Sequence, residues 1–423
     1  MKKVLIICYY WPPAGGPGVQ RWLNFVKFLP EFGIEPVVYI PENPDYPMED
    51  ASFLAEVPKE VTILKQPIFE PYKFASIFSG KKIKQISKGI ISNKKQSFTE
   101  KVLLWIRGNF FIPDARVFWV KPSVNYLKKY LEKEDITTII TTGPPHSVHL
   151  IGMKLKKQLD LKWIADFRDP WTNIGYHSAL KLTKNSQQKH KKLEHEVLNS
   201  ADLIVTTSYT TKVEFETISS KPIEVITNGF ITPEIKKSKI DKKFTVSHIG
   251  SLLSGRNPKV LWSVIGELLE ENSDFKKDFQ LQLAGAVSKE VLESIKAYNI
   301  DENLSILGYV AHQKAIELQR ATQVLLLIEI DAEKTRGIIP GKLFEYMAAI
   351  RPIIALGPKQ WDVARILEET NAGVYFDYTE KEKLKETLLS FYKAYKNDNL
   401  YVNSVDIDKY HRKSLTKHLA SII

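Results

Sequence analysis

Two charged side chains, Lys342 and Glu345, lie three residues apart at the predicted start of a helix. Pro340 suits the first helical position, because its φ angle is already helical and its missing N–H costs nothing there. Residues three apart share one helix face, and the free N–H groups at a helix N-terminus form a natural seat for phosphate. A carboxylate one turn further in suits a ribose diol. The alternative is a plain surface Lys–Glu pair on an ordinary helix.

Other polar side chains directly follow predicted strands. His146 comes after the strand at 137–142, and Arg168 and Asp169 come after the strand at 161–165. Open α/β sheets bind ligands beyond the carboxyl ends of their strands, so these three residues are candidates for a site. An ordinary loop residue is the alternative for His146, which follows two prolines.

The elements that would position these side chains alternate between strand and helix. The apolar run 4–11 predicts a buried strand, and a Pro/Gly-rich turn, a helix at 19–29 and a strand at 36–40 follow it. This order opens a doubly wound α/β domain. A second α/β domain opens with the strand 244–249 and a turn that contains Arg256. The first turn lacks the G-x-G-x-x-G spacing, so no nicotinamide or flavin cofactor is expected.

Length and composition indicate a globular protein of two domains. The chain has 423 residues, of which 43% are hydrophobic and 26% charged, and a chain of this length exceeds one average core. Cys8 is the single cysteine, so no disulfide can form within the chain, which favours a reducing compartment. No apolar stretch reaches the roughly 18 residues that a membrane-spanning helix needs.

Positive charge is concentrated in one segment. The net charge of +11 indicates anionic partners, and lysines cluster between Lys81 and Lys101, with aromatic residues following. This mixture predicts a patch that lies on an anionic membrane surface. The alternative is a solvated helical insertion with a few core anchors. A nucleic-acid partner is not expected, because the chain has no recognisable reading module.

Several motifs together resemble a glycosyltransferase of the GT-B fold, similar to family 4 and to its members that build bacterial surface polysaccharides. The motifs extend over about residues 1–375 and occur in this order: Pro12-Pro13-Ala14-Gly15-Gly16, Asp166-Phe167-Arg168-Asp169-Pro170-Trp171, Ala201-Asp202-Leu203-Ile204-Val205, Asn228-Gly229-Phe230, Gly250 with Arg256, Leu307-Gly308-Tyr309-Val310, and 342–349. The resemblance implies an α/β fold of two Rossmann-like domains with a cleft between them. The expected divisions are an acceptor-side domain at 1–230, a linker at 231–243, a nucleotide-sugar-binding domain at 244–378 and a helical segment at 379–423.

The resemblance also implies roles for individual residues. Gly15 and Gly16 would let the backbone approach the donor diphosphate, and Arg256 would pair with it. Gly341 and Lys342 would add to that cradle, and Glu345 would accept hydrogen bonds from the ribose. As catalytic residues, His146 would lie near the transferred sugar, and Arg168 or Asp169 near the acceptor. One position departs from the family pattern: Gly337 stands eight residues before Glu345, where a second glutamate commonly contacts the donor sugar, and Asp331 or Glu333 could take its place.

The implied activity is transfer of a sugar from a UDP- or GDP-linked donor to a glycan or polyprenyl-linked acceptor, with retention of configuration. An arginine, a lysine and a helix N-terminus stabilise an anionic leaving group, so neither a metal ion nor another cofactor is expected. The implied location is the cytoplasm, peripheral at the inner face of the cell membrane. Two alternatives remain open: a GT-B-shaped nucleotide-sugar epimerase, and a degenerate nucleotide-sugar-binding subunit without activity.

Overall fold

Two parallel sheets organise the chain. The computed structural model describes residues 1–71, 98–173, 177, 180–232 and 239–423. The chain divides into two compact units, Met1–Asn228 with Arg412–Ile423, and Gly229–His411. This architecture confirms the predicted α/β class, with one sheet in each unit.

The first unit has a seven-stranded parallel sheet in the order β3-β2-β1-β4-β5-β6-β7. Its strands are β1 Lys2–Cys8, β2 Ile34–Pro41, β3 Thr62–Gln66, β4 Thr138–Gly143, β5 Lys162–Phe167, β6 Leu203–Thr206 and β7 Ile223–Val225. Its helices are α1 Pro17–Phe28, α2 Phe98–Phe110, α3 Val117–Glu134, α4 Ser147–Lys156, α5 Lys184–Ser200 and α6 Tyr209–Glu216.

The apolar run of β1 is buried on both faces of this sheet. Leu5 and Ile7 belong to one hydrophobic cluster, whereas Val4 and Ile6 belong to another. Successive side chains of a strand point to opposite faces, so the two clusters lie on opposite sides of the sheet. A continuous apolar run is therefore what this central strand requires.

The second unit has a six-stranded parallel sheet in the order β10-β9-β8-β11-β12-β13. Its strands are β8 Phe244–Ile249, β9 Phe279–Ala284, β10 Leu304–Gly308, β11 Val324–Ile328, β12 Ile353–Gly357 and β13 Gly373–Asp377. Its helices are α7 Lys259–Glu271, α8 Ser273–Asp278, α9 Lys289–Ala297, α10 His312–Ala321, α11 Gly341–Ala349, α12 Asp362–Thr370 and α13 Lys381–Lys396. In both sheets the strand order reverses direction beside the first strand, and doubly wound folds bind ligands at such switch points.

The last helix, α14 Arg412–Ile422, belongs to the first unit. Leu415 and Leu419 pack in the same hydrophobic cluster as Trp22 of α1, and Lys2 Nζ donates a hydrogen bond to the Ile423 carbonyl at 2.7 Å. Helix α13 belongs instead to the second unit. The segment predicted at 379–423 is thus divided between the two units, because α13 and α14 bury their apolar faces in different cores.

Candidate functional site

Arg256 and Glu329 form an ion pair at the switch point of the second sheet. Arg256 lies in the turn after β8, and Glu329 directly follows the neighbouring strand β11. Arg256 Nε and Nη2 donate to the two carboxylate oxygens of Glu329 at 3.0 and 3.1 Å. Glu329 is fully buried, whereas about a third of the Arg256 side chain, 35%, is exposed. A buried carboxylate therefore fixes, through two hydrogen bonds, the arginine that is predicted to bind a diphosphate.

The ammonium group of Lys342 lies beside Gly250, the first residue after β8. A Cβ built on Gly250 would lie 2.0 Å from Lys342 Nζ, and the Gly250 φ angle of 138° is one that glycine favours. The ion pairs formed by the described residues do not include Lys342. Burial lowers the pKa of Lys342, and the charge of Arg256 lowers it further, while Glu345 and Glu329 act in the opposite direction. Lys342 is thus a half-buried cation without a carboxylate partner among those residues.

Helix α11 presents Lys342 in its first turn and Glu345 in the next. Pro340 is the N-cap residue, so the helix begins one residue later than predicted, at Gly341. The hydroxyl of Tyr346 accepts a hydrogen bond from the Ile249 N–H at 3.0 Å, which ties the helix to the end of β8. Glu345 Oε2 accepts a hydrogen bond from Gln319 Nε2 at 3.0 Å. Gln319, on α10, is buried and was not a candidate from the sequence.

The structure therefore brings together four of the six predicted donor-binding residues: Arg256, Gly341, Lys342 and Glu345. Two cations and a helix N-terminus lie at the carboxyl ends of β8 and β11, with Glu345 one turn into the helix. Glu333 carries an ion pair with Arg336 and is largely exposed. Asp331 is exposed and lies three residues after the end of β11.

The other two, Gly15 and Gly16, lie in the first unit, in the turn between β1 and α1. Gly15 N–H donates to the Met48 carbonyl at 2.9 Å. Gly16 is the N-cap of α1 and has a φ angle of 107°. The next glycine, Gly18, has less space for a side chain than Gly15 or Gly16, since a Cβ there would lie 1.6 Å from Arg168 Nη1.

Arg168 connects this turn to the end of β4. Its Nε donates to the Gly143 carbonyl at 3.1 Å, and its Nη2 donates to the Pro144 carbonyl. Its guanidinium thus contacts both the start of α1 and the loop after β4, the two elements beside the switch point of the first sheet. Asp169 follows directly and is exposed.

His146 is buried and lies flat on Trp171, with ring centroids 4.8 Å apart and planes inclined by 2°. Neither ring nitrogen has a hydrogen-bond partner among the described residues. Burial holds the pKa of His146 well below its usual value, and the nearby His149 and Arg168 lower it further. His146 is therefore a neutral imidazole whose two ring nitrogens are buried.

Asp166, at the end of β5, organises this part of the first unit and was not predicted as a separate candidate. Its carboxylate is buried and accepts hydrogen bonds from Arg21 Nη2 at 3.0 Å, Trp22 Nε1 at 2.8 Å and Thr142 Oγ1 at 2.7 Å. Arg21 Nη1 also donates to the Thr227 carbonyl at 2.7 Å. All oxygens of this carboxylate face donors of the protein, which indicates a structural part rather than a part in catalysis.

In the ranges that the structure describes, no group of three His, Cys, Asp or Glu side chains could hold a metal ion. An Asp-x-Asp sequence occurs at Asp406 and Asp408, both exposed in the turn before α14. Across those ranges, none of the helices has the length and apolar character needed to cross a bilayer.

Comparison with known proteins identifies the fold and the second domain. Residues 243–394 match the model of the family described as Glycosyl transferases group 1, which confirms the predicted resemblance to a glycosyltransferase. Among the curated proteins, none matches the chain significantly in sequence.

Three similar solved structures share the whole fold. HepE of Anabaena, solved in complex with UDP, has a TM-score of 0.60 at 13% identity, covering 100% of this chain and 99% of that chain. TarM of S. aureus, solved as a point mutant in complex with fondaparinux, α-GlcNAc-glycerol and UDP, has a TM-score of 0.58 at 12% identity, covering 100% and 99%. A Listeria monocytogenes protein assigned as a UDP-N-acetylglucosamine 2-epimerase has a TM-score of 0.54 at 11% identity, covering 99% and 95%. These similarities confirm the GT-B architecture.

Proposed function

We propose that this chain, whose second domain is that of a group 1 glycosyltransferase, transfers a sugar from a UDP- or GDP-linked donor to a glycan or polyprenyl-linked acceptor. The observation that carries the proposal is the arrangement of Arg256, Lys342 and the N-terminus of α11 around the ends of β8 and β11. Such donors stabilise the diphosphate as the bond between sugar and oxygen breaks. Glu345, one turn further into the helix, is suited to the ribose hydroxyls.

Similarity to family 4 supports the finer features of the proposal. We infer retention of configuration, with the departing phosphate taking the proton of the acceptor hydroxyl, and no requirement for a metal ion. Arg256 and Lys342 supply fixed positive charge where the leaving group develops its negative charge. His146 is proposed to contact the transferred sugar, and Arg168 or Asp169 the acceptor, in the synthesis of a cell-surface polysaccharide.

The test is a screen of UDP- and GDP-sugars with the purified chain, measuring release of the nucleoside diphosphate with and without EDTA. Lys342→Met and Glu345→Gln should lower the release at least about tenfold, because each removes a charged contact. Lys289→Met is the matched control, since Lys289 is exposed on α9. NMR of the glycoside product would establish its anomeric configuration. Equal rates in all of these variants would contradict the assignment.

The epimerase alternative is favoured by one observation, the fold shared with the Listeria protein. An epimerase needs no separate acceptor, so a UDP-sugar incubated alone with the enzyme would yield its epimer. An epimerised sugar would contradict the transferase proposal. The non-catalytic alternative rests on Gly337, and it predicts that Glu345→Ala and Arg256→Ala leave glycan assembly in cells intact.

Peripheral binding to the inner face of the cell membrane, from the cytoplasm, is the last part of the proposal. Most of the Lys81–Lys101 segment lies outside the described residues, but Lys101 is exposed on α2. Trp105 and Phe110 of the same helix are 40% and 69% exposed, and their ring centroids lie 5.7 Å apart. Exposed aromatic rings beside lysines are typical of interfacial segments.

Co-sedimentation with liposomes containing anionic lipid tests this binding. Changing Lys81, Lys82, Lys84 and Lys88 to Glu should release the protein, whereas the same change of four exposed lysines in the second domain should not. The control lysines are Lys276, Lys277, Lys289 and Lys296. Unchanged co-sedimentation of the first variant would contradict membrane binding through this segment.

A further inference from the structure

Both oxygens of the buried Glu329 carboxylate accept hydrogen bonds from the protein. Beside the two bonds from Arg256, Oε1 accepts the Ile330 backbone N–H at 2.8 Å. The Glu329 carbonyl accepts a further bond from the Tyr378 hydroxyl at 2.7 Å. A buried charge is tolerated only when it is paired and hydrogen-bonded. Glu329 is also 0% exposed, so a ligand cannot reach its carboxylate, and it cannot take the place of the donor-sugar glutamate missing at Gly337.

Arg256 remains able to bind an anion while this pair is intact. A guanidinium has five N–H donors in a rigid planar arrangement, and the pair with Glu329 uses only the Nε and one Nη2 hydrogen. Three N–H groups remain, one on Nη2 and two on Nη1, and the remaining Nη2 hydrogen forms the distal edge of the plane with one Nη1 hydrogen. Because the bonds to Glu329 fix one edge of the guanidinium plane, they also fix the direction in which its free distal edge points.

The two cations of the site, Arg256 and Lys342, differ in whether a carboxylate balances their charge. The charge of Arg256 is matched by Glu329 at 3.0 Å, whereas Lys342 has no carboxylate at that range among the described residues. Lys342 thus supplies net attraction for an anion, and Arg256 supplies directed hydrogen bonds. The Arg256–Glu329 pair has no net charge. Arg256 therefore contributes to anion binding only if its guanidinium is correctly oriented.

We propose that Glu329 is a positioning residue, which fixes the guanidinium of Arg256 so that its free edge faces the diphosphate of the donor. This inference rests on the proposed function, because the diphosphate is the ligand of that function. The alternative is that Glu329 only adds negative charge near the site. The two roles predict opposite signs: loss of the charge alone strengthens binding of an anion, whereas loss of orientation weakens it.

A double-mutant cycle on nucleotide binding distinguishes these roles. The dissociation constant of UDP, and of GDP as a second probe, is measured by calorimetry for the wild type, Glu329→Gln, Arg256→Gln and the double variant. Glu329→Gln should weaken binding about tenfold in the presence of Arg256, which is the scale of one hydrogen bond to a charged group. In the Arg256→Gln background the same change should not weaken binding and should strengthen it, because only the loss of a negative charge remains. Thermal unfolding of each variant verifies that it is folded.

Glu267→Gln is the matched control, because Glu267 pairs with Lys381 and Lys385 on the surface of the same domain. It should bind UDP as the wild type does. Binding by Glu329→Gln that equals or exceeds the wild type would overturn the positioning role, as would an equal loss in both backgrounds. A wild type that binds neither UDP nor GDP would instead refute the proposed function itself, so the two failures are distinguishable.

Discussion

The ammonium of Lys342 occupies the space that a side chain at Gly250 would need: a Cβ on Gly250 would lie 2.0 Å from Nζ and 2.2 Å from the adjacent carbon of the lysine. Gly250 follows β8 and Lys342 is the second residue of α11, so the contact joins a strand end to a helix start 92 residues later in the sequence. Lys342 can therefore reach the end of β8 only because position 250 has no side chain.

Gly250→Ala should displace Lys342 and weaken UDP binding about tenfold, because an attraction of roughly one charged hydrogen bond is lost. It should also destabilise the domain by about 1 to 2 kcal/mol, since the positive φ angle disfavours a residue with a Cβ. Gly255→Ala is the control in the same turn, where a Cβ would meet only Ile330 at an ordinary 3.4 Å. Equal UDP affinity in the two variants would contradict the prediction.

Binding of UDP should weaken at alkaline pH earlier than an ordinary lysine would allow. Burial and the charge of Arg256 lower the pKa of Lys342, so its ammonium deprotonates at a pH below the usual value of about 10.4. Since the charged form attracts the diphosphate, affinity falls as the pH rises through this lowered pKa. Lys342→Arg should remove that part of the decline, because arginine keeps its charge.

The measurement is the dissociation constant of UDP between about pH 7 and pH 10, around the lysine range, for the wild type and Lys342→Arg. Titration of the ligand itself affects both proteins equally, so the difference between the two curves reports Lys342. Parallel curves would show that this lysine does not titrate in the range or does not contact the nucleotide.

In the first domain, Gly18→Ala should displace Arg168, because the new Cβ would lie 1.6 Å from Nη1. The guanidinium would lose its bonds to the carbonyls of Gly143 and Pro144. We expect sugar transfer to fall as far as it does in Arg168→Ala, and the double variant to be no worse than either single one. UDP binding, measured alongside, should be retained if Arg168 acts on the acceptor. Full activity of Gly18→Ala would contradict a role for the position of Arg168.

Much of the fold follows from local sequence patterns. A continuous apolar run, a Gly-rich turn and a helix recur at the start of both domains, and β1 and β8 form as those patterns predict. The spacing of Leu343, Met347 and Ile350 also predicts one core face for α11, and this prediction is wrong at Ile350. Ile350 has helical spacing from Leu343 and Met347, yet it adopts a φ angle of 55° as the C-cap and is 57% exposed. The apolar periodicity of the sequence continues past the end of the helix, whereas the helical backbone conformation ends at Ala349.

The buried partners of the site residues could not be predicted in this way. Glu329 is 73 residues from Arg256 in sequence, and Gln319 is 26 residues from Glu345. The only local signal for Glu329 is one acidic residue at the end of the apolar strand Val324–Ile328. Which cation it meets depends on sheet order, which periodicity alone does not determine. The sequence therefore predicts the candidate site residues better than the buried residues that hold them in place.

Buried histidines should make the first domain sensitive to acid. Burial lowers the pKa of His149 to about 3, with Asp166 opposing the shift. An unfolded histidine titrates near pH 6.5, so below that pH the unfolded state binds a proton that the folded state excludes. The free energy of unfolding is therefore highest above about pH 6.5 and decreases as the pH falls toward 3.

For His149 alone this loss amounts to about 2 kcal/mol between about pH 6.5 and pH 5, at 1.36 kcal/mol per pH unit. His149→Gln cannot titrate, so its unfolding free energy should be lower at neutral pH but should depend less on pH by that amount. His312→Gln, at an exposed position on α10, should leave the slope of the wild type unchanged. Urea unfolding at a series of pH values measures all three slopes. A slope in His149→Gln as steep as that of the wild type would contradict a neutral, buried His149, because its proton uptake on unfolding is what the substitution removes.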